Sequence, residues 1–287
     1  RAAGAPKRGA FAVTDMQEET GAQRPRRVRH TLRVRSLDVH EVRQITPHML
    51  RITLAGEELE GFTTLGFDDH VKVFFAHPGQ EQPDLPVVGA QGIFMPEGLR
   101  KPIARDYTVR RHDREKGTLD IDFVLHDDGP ATRWAAGVKP GDRAYIAGPR
   151  GSFVIPTTFD WHLLIGDETA LPAISRRLEE LPAGARAMAV VEVHGPLDEQ
   201  PISSRADVEI IWLHKGSETV DDSRFKAALA RACWPQGTFY TWIACESTVA
   251  KSLRLWLIEE RAANPRWIRA SGYWRTGTAG FHDEHDD

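Results

Sequence analysis

The chain changes texture at Pro156, and that change constrains its fold more than any other feature. Before it, from Val28 to about Phe153, come short alternating or β-branched runs punctuated by glycine and proline: Arg29–Arg35, Met49–Leu54, His70–Phe75, Tyr107–Arg110, Thr118–Leu125 and Arg143–Ala147. Period-two alternation between turn residues is the pattern of an antiparallel barrel or sandwich. After it, the apolar runs Trp161–Ile165, Ala187–Val193, Val208–Leu213 and Phe239–Ala244 are short and nearly continuous, as parallel strands covered on both faces are. Leu171, Ile174, Leu178 and Leu181 follow the first run at helical spacing, and Val249, Leu253, Trp256 and Leu257 form a stripe within Ser247–Arg261. The expected fold class is therefore β plus α/β, an N-terminal antiparallel Greek-key β-barrel followed by a C-terminal Rossmann-like parallel sheet. Residues 28–156 and 157–287 make the two domains, and residues 1–27, which lack periodicity, read as a disordered extension.

A chain of 287 residues is long enough to bury two separate cores. Cys233 and Cys245 have no CxxC spacing, which argues against a disulfide framework and against a cysteine-ligated metal. His282 and His285 flank carboxylates in the tail, but a solvated terminus is the reading there, and no metal site is expected. No apolar run is long enough to cross a bilayer and no signal core follows the first residues, so the expected location is the cytoplasm without stable membrane association. A formal charge of −4 gives no global attraction to nucleic acid.

Four segments carry chemistry. Arg105-Asp-Tyr-Thr-Val-Arg110 lies on a barrel strand, where alternation puts Arg105, Tyr107 and Val109 on one side, a cation beside a ring. The same six residues also describe an ordinary exposed strand. Gly129 and Pro130 can shape a turn while Ala131 and Thr132 open a helix whose first amides can meet a phosphate, though a plain loop with a cap would look alike. Gly166-Asp-Glu-Thr-Ala-Leu-Pro-Ala173 follows a strand and precedes a helix, the place where α/β folds bind nucleotides. A helix start capped by Thr169 or Asp167 uses the same residues. Tyr273 and Trp274, near the C-terminal end, could anchor a last strand or face a ligand.

Taken in order, Arg105-x-Tyr-Thr-x-Arg110, His126-Asp-Asp-Gly-Pro-Ala-Thr132 with Gly148-Pro-Arg-Gly-Ser-Phe153, Gly166–Ala173 and Gly272-Tyr-Trp-Arg-x-Gly277 resemble the motifs of siderophore-interacting proteins. These are the ferric-siderophore reductase branch of the ferredoxin-reductase-like flavoproteins, and the resemblance runs from about Val28 to Gly277. It implies an FAD-binding barrel and an NAD(P)H-binding α/β domain. FAD would be held by Arg105, Asp106, Tyr107, Thr108, Val124, His126, Gly129, Ala131, Thr132, Trp134, Thr169, Tyr273 and Trp274. The nicotinamide would meet Gly166, Asp167, Glu168, Ala170 and Pro172. Arg100, Lys101, Arg110 and Arg275, beside these motifs, are candidates for a basic mouth that receives an anionic ferric siderophore.

The implied reaction needs no protein nucleophile. Fe(III) in hard oxygen donors is held more tightly than Fe(II), so one electron releases the metal, and FAD matches the two-electron donor to the one-electron acceptor. NADPH is the expected donor, with NADH or a reduced ferredoxin as alternatives, and the protein is expected to be a monomer. Two other functions stay open, a reductase of a quinone or electron-carrier protein, and a siderophore or flavin carrier without turnover. One departure from the family stands out, Cys245-Glu-Ser in place of a small residue and glycine before the final helix.

Overall fold

The computed structural model describes residues 23–90, 92–125, 129–215 and 220–278. Its N-terminal half holds β1 (Arg26–Arg29), β2 (Val34–Thr46), β3 (Met49–Ala55), β4 (His70–Phe75), β5 (Val87–Gly89), β6 (Gly92–Phe94) and β7 (Ile103–Thr108). These are followed by β8 (Arg111–Asp113), β9 (Thr118–Val124), a helix α1 (Pro130–Gly137), β10 (Arg143–Ala147) and β11 (Gly151–Val154). Seven strands form one sheet in the order β7-β4-β10-β2-β3-β9-β8, with every neighbouring pair antiparallel. The sheet curls on itself, because Val109 and Arg110, between β7 and β8, donate their amides to Asp69 O at 2.8 Å and Asp120 O at 3.0 Å. Alternate residues point inward: Leu37 and Val39, Ile52 and Leu54, Val71 and Val73, Leu119 and Ile121 all lie in one core. Each such side chain, fully buried, contributes about 1.5–3 kcal/mol.

The C-terminal half alternates strand and helix: β12 (Trp161–Asp167), α2 (Leu171–Glu180), β13 (Arg186–Val193), β14 (Asp207–His214), α3 (Ser223–Arg231), β15 (Phe239–Glu246), α4 (Ser247–Arg261) and β16 (Ile268–Trp274). All five strands are parallel, in the order β14-β13-β12-β15-β16. One face packs Leu171, Ile174 and Leu178 of α2 on Leu164, Ala189 and Val191, and Met49, Phe67 and Phe153 of the barrel join the same cluster. The other face takes Phe225 and Leu229 of α3 with Val249, Leu253 and Leu257 of α4. The order reverses between β12 and β15, so the crevice at the carboxyl ends of these strands is where such a sheet binds ligands.

One expectation is corrected. The stretch read as disordered through residue 27 already holds structure at its end: Arg26–Arg29 pairs antiparallel with Gly151–Val154, and Gln23 Nε2 donates to Thr238 Oγ1 at 3.2 Å. The unusual Cys245-Glu-Ser start of α4 has its own physical reason. Glu246 is the cap, and its carboxylate accepts from the amides of Thr248 at 2.6 Å and Val249 at 3.2 Å, as acceptors at helix starts do.

Burial of His162 on β12 makes the fold sensitive to acid. Its side chain is 1% exposed, and burial, helped by the Arg177 charge, lowers its pKa to about 3. An unfolded chain protonates histidine near pH 6.5, so the unfolded state binds a proton that the folded state refuses. Stability from this site is therefore full above about pH 6.5 and falls until about pH 3, by about 2 kcal/mol at pH 5. Denaturant titrations at pH 7 and pH 5 should show His162→Leu losing less stability than the native chain over that interval. Parallel losses would contradict this assignment.

Candidate functional site

The barrel's contribution begins on β7, which pairs with β4 in the register Arg105↔Val73, Asp106↔Lys72, Tyr107↔Val71. Lys72 Nζ donates to both oxygens of Asp106, at 2.8 and 3.0 Å. Arg105 is half-buried, and its guanidinium donates to Ala104 O at 2.8 Å. Among the described residues Arg105 meets no carboxylate. Tyr107 packs its ring 4.2 Å from that of Phe123, which lies 5.5 Å from Trp134 on α1. Burial raises the Tyr107 phenol while the Arg105 charge opposes it, so the ring stays neutral at ordinary pH. Alternation had placed Thr108 on the far side of the strand; the structure buries it beside Tyr273 of β16.

Helix α1 opens close to this strand. Its N-cap is Gly129, extended at φ −89° and ψ 159°, which has no side chain with which to cap the first turn; Pro130 follows as a residue that has no amide to satisfy. Ala131 and Thr132 therefore start the helix as the sequence indicated. Val124 closes β9 and is half-buried. His126 lies outside the described residues.

The opposite wall is the turn between β12 and α2. Asp167 is buried there, and Oδ1 accepts from Thr169 N at 2.9 Å and Thr169 Oγ1 at 2.5 Å, while Oδ2 accepts from Trp274 Nε1 at 2.7 Å. Burial, reinforced by the neighbouring Glu168 charge, pushes this carboxyl up to about 6. Asp167 thus ties the end of β12 to the end of β16. Glu168 pairs with Lys215, which follows β14. Gly166, Ala170 and Pro172, expected at the nicotinamide, are instead buried in packing. A Cβ on Gly166 would lie 2.4 Å from Ala170 Cβ and 2.6 Å from Ala244 O, so glycine there lets helix and strand approach.

Between the two walls lies a cavity of about 350 Å³, lined by His48, Met49 and Val124 from the barrel and by Glu168, His194 and Lys215 from the sheet. His48 bonds Asp198 through its amide at 3.1 Å and its Nδ1 at 3.0 Å, and its ring stacks 4.1 Å from His194. None of His48, His194, Asp198 or Lys215 was picked out from the sequence. Lys215 alone carried a usable signal, since it follows an apolar strand at its carboxyl end, where the doubly wound fold collects ligands. Asp68 accepts from Trp242 Nε1 at 3.1 Å and lies 3.3 Å from Arg269 Nε, a buried carboxylate joining barrel to sheet.

The four residues expected at a basic mouth differ in exposure. Arg100, Lys101 and Arg275 are exposed. Arg110 is not: it is 7% exposed, donates to both oxygens of Glu179 at 2.6 and 2.8 Å, and sits 3.7 Å from Asp122. The strand ends at Thr108, so alternation fails and Val109 and Arg110 both turn inward. Arg110 fastens α2 to the barrel and is withdrawn as a substrate contact.

Three of the segments singled out in the sequence thus meet at one interdomain cleft, where Thr108 lies beside Tyr273 and Asp167 accepts from Trp274. The sequence model of the siderophore-interacting FAD-binding domain matches residues 38–153, and that of the siderophore-interacting protein matches residues 159–277. An NADPH-dependent ferric-chelate reductase of Escherichia coli (strain K12) is 39% identical over 253 residues, covering 87% of this chain and 96% of its own. The ferric vibriobactin reductase ViuB of Vibrio cholerae is 32% identical over 259 residues, with 87% and 93% covered. A siderophore utilization protein from T. fusca, known as a crystal structure, aligns with a TM-score of 0.82 at 38% identity, over 90% of this chain and 98% of that one. The chain therefore belongs to the siderophore-interacting protein family.

Proposed function

We propose that this protein is an FAD-dependent oxidoreductase that passes electrons from NADPH or NADH to a ferric siderophore and so releases Fe(II). The observation that carries the reading is Arg105, a half-buried cation with no carboxylate partner among the described residues, in the same barrel half as a helix that opens on a Gly129 N-cap and Pro130. A pyrophosphate dianion needs that combination, a cation and backbone donors. Arg105 with Gly129, Ala131 and Thr132 would hold the phosphates, and Tyr107, Thr108, Tyr273 and Trp274 the ring system. Asp106, neutralised by Lys72, keeps a second negative charge from opposing the phosphates. Trp134 acts one layer back, bracing Phe123 beneath Tyr107.

When bound, FAD supplies the conversion of a two-electron hydride donor into single electrons suited to Fe(III). The chain's own residues bind and orient. Asp167 fixes the Trp274 indole, and Thr169 and Glu168 face the side from which a dinucleotide would approach. The exposed Arg100, Lys101 and Arg275 offer charge to an anionic chelate. Residues 28–156 form the flavin half and residues 157–287 the nucleotide half in this reading, with NADPH preferred to a ferredoxin as donor. The names of the Escherichia coli and Vibrio cholerae relatives support the substrate class and the donor. In this reading the chain acts as a monomer in the cytoplasm, a compartment in which Cys233 and Cys245 remain thiols.

The test is an anaerobic titration of the purified flavoprotein with NADPH, then addition of a ferric siderophore with an Fe(II) chelator. Bleaching of the flavin followed by chelated Fe(II) and return of the yellow colour is expected. Bleaching without any Fe(II), with fast turnover on a quinone, would overturn the substrate assignment.

A further inference from the structure

A second charged group lies at the carboxyl edge of the parallel sheet, next to Glu168, Lys215 and Asp167. Met188 and Val190 of β13 face α3 and α4, and the same alternation sends Glu192 to that face. There Arg224, in the first turn of α3, brings Nη2 to 2.8 Å from Glu192 Oε1 and donates through Nη1 to His214 O at 2.8 Å, at the end of β14. The Arg224–Glu192 contact is one of charge and not a directed hydrogen bond. Glu192 Oε1 has no hydrogen-bond donor among the described residues although the residue is only 9% exposed. A buried acceptor in that condition gains when a ligand hydroxyl reaches it. Arg224 remains about a third exposed along its side chain and so can meet a ligand from the solvent side.

Position gives these groups a meaning. β13 is the second strand of a sheet ordered β14-β13-β12-β15-β16. In doubly wound sheets of this order an acid near the end of the second strand bonds the 2′-hydroxyl of the adenosine ribose, and a nearby arginine accommodates a 2′-phosphate. Here both are present and hold one another. Other charges facing this edge are Glu168, Lys215 and the buried Asp167, of which Glu168 and Lys215 pair with each other.

Resting on the reading that the donor is a nicotinamide dinucleotide, we propose that Glu192 and Arg224 together set the choice between NADPH and NADH. Arg224 takes the 2′-phosphate, and Glu192 takes the 2′-hydroxyl and repels the phosphate. Removing either one frees the other, so the two variants must move the preference in opposite directions. That opposition distinguishes a selector from a merely structural ion pair, whose loss would weaken both donors alike.

The experiment uses the flavin-loaded full chain and two redox-inert probes, 2′,5′-ADP and 5′-AMP, by calorimetry, with kcat/KM for NADPH and NADH alongside. Arg224→Ala is expected to weaken 2′,5′-ADP relative to 5′-AMP by about tenfold or more, and to lower the NADPH-to-NADH ratio of kcat/KM by a similar factor. Arg224→Lys should restore part of that loss, and Glu192→Gln should raise both ratios. If native protein oxidises a nicotinamide while neither Arg224→Ala nor Glu192→Gln moves the ratios, this assignment is overturned and the proposed function stands. If native protein oxidises neither nucleotide and binds neither probe, both are overturned.

Discussion

Asp122→Ala is expected to cost about 3–5 kcal/mol of stability, the largest effect of any single substitution considered for the fold. The carboxylate is 4% exposed and takes Arg51 in bidentate fashion, Nε at 2.7 Å and Nη2 at 2.8 Å, with Arg110 Nε 3.7 Å away. Its removal leaves the Arg51 guanidinium, 14% exposed along its side chain, without that carboxylate and leaves Arg110 with Glu179 alone. A buried charge without its partner is far more costly than the intact pair is favourable. Because Arg110 also holds α2, the loss should spread to the interface between the two halves. Denaturant unfolding with an unchanged m-value measures it. A loss below about 1 kcal/mol, the range of solvated surface pairs, would mean that these guanidiniums are hydrated and that the network is peripheral.

Arg105→Ala should leave the fold intact and abolish flavin retention through purification, with FAD affinity reduced about tenfold to a hundredfold. The reason is that Arg105 contributes a half-buried positive charge that meets no carboxylate among the described residues, so its loss removes ligand attraction and orphans no described carboxylate. Circular dichroism confirms folding, and titration of the apoprotein with FAD gives the affinity. Arg110→Ala is the contrasting case, since it should lower the melting temperature before it affects the flavin. An Arg105→Ala protein that purifies fully yellow would remove the pyrophosphate from this strand.

Much of the architecture could be read from residue order because its causes are local. Alternation in His70–Phe75 and Thr118–Val124 and near-continuous apolar runs in β12 and β13 are properties of neighbouring residues, and each became the expected strand. β1 was missed because Arg-Arg-Val-Arg has no apolar period; its pairing with Gly151–Val154 comes from a partner more than a hundred residues away. In the site, the motif residues Arg105, Tyr107, Asp167 and Trp274 were found, but their mutual contacts were not. Thr108 comes beside Tyr273 only once the halves dock, and Asp167 bonds Trp274 only once β12 and β16 are set in one sheet. Arg110 shows the opposite failure, an arginine chosen because it lies beside a motif, whereas the strand ends at Thr108 and Arg110 turns inward. His48 and Asp198, 150 positions apart, left no trace in either neighbourhood.

The central claim is that the cleft between barrel and sheet holds FAD. The most direct measurement is the visible absorbance spectrum of the folded, purified chain, before and after incubation with excess FAD and removal of the unbound coenzyme. Flavin bands near stoichiometric with protein, diminished in Arg105→Ala, are the predicted result. A folded native chain that stays colourless after incubation with excess FAD would contradict it.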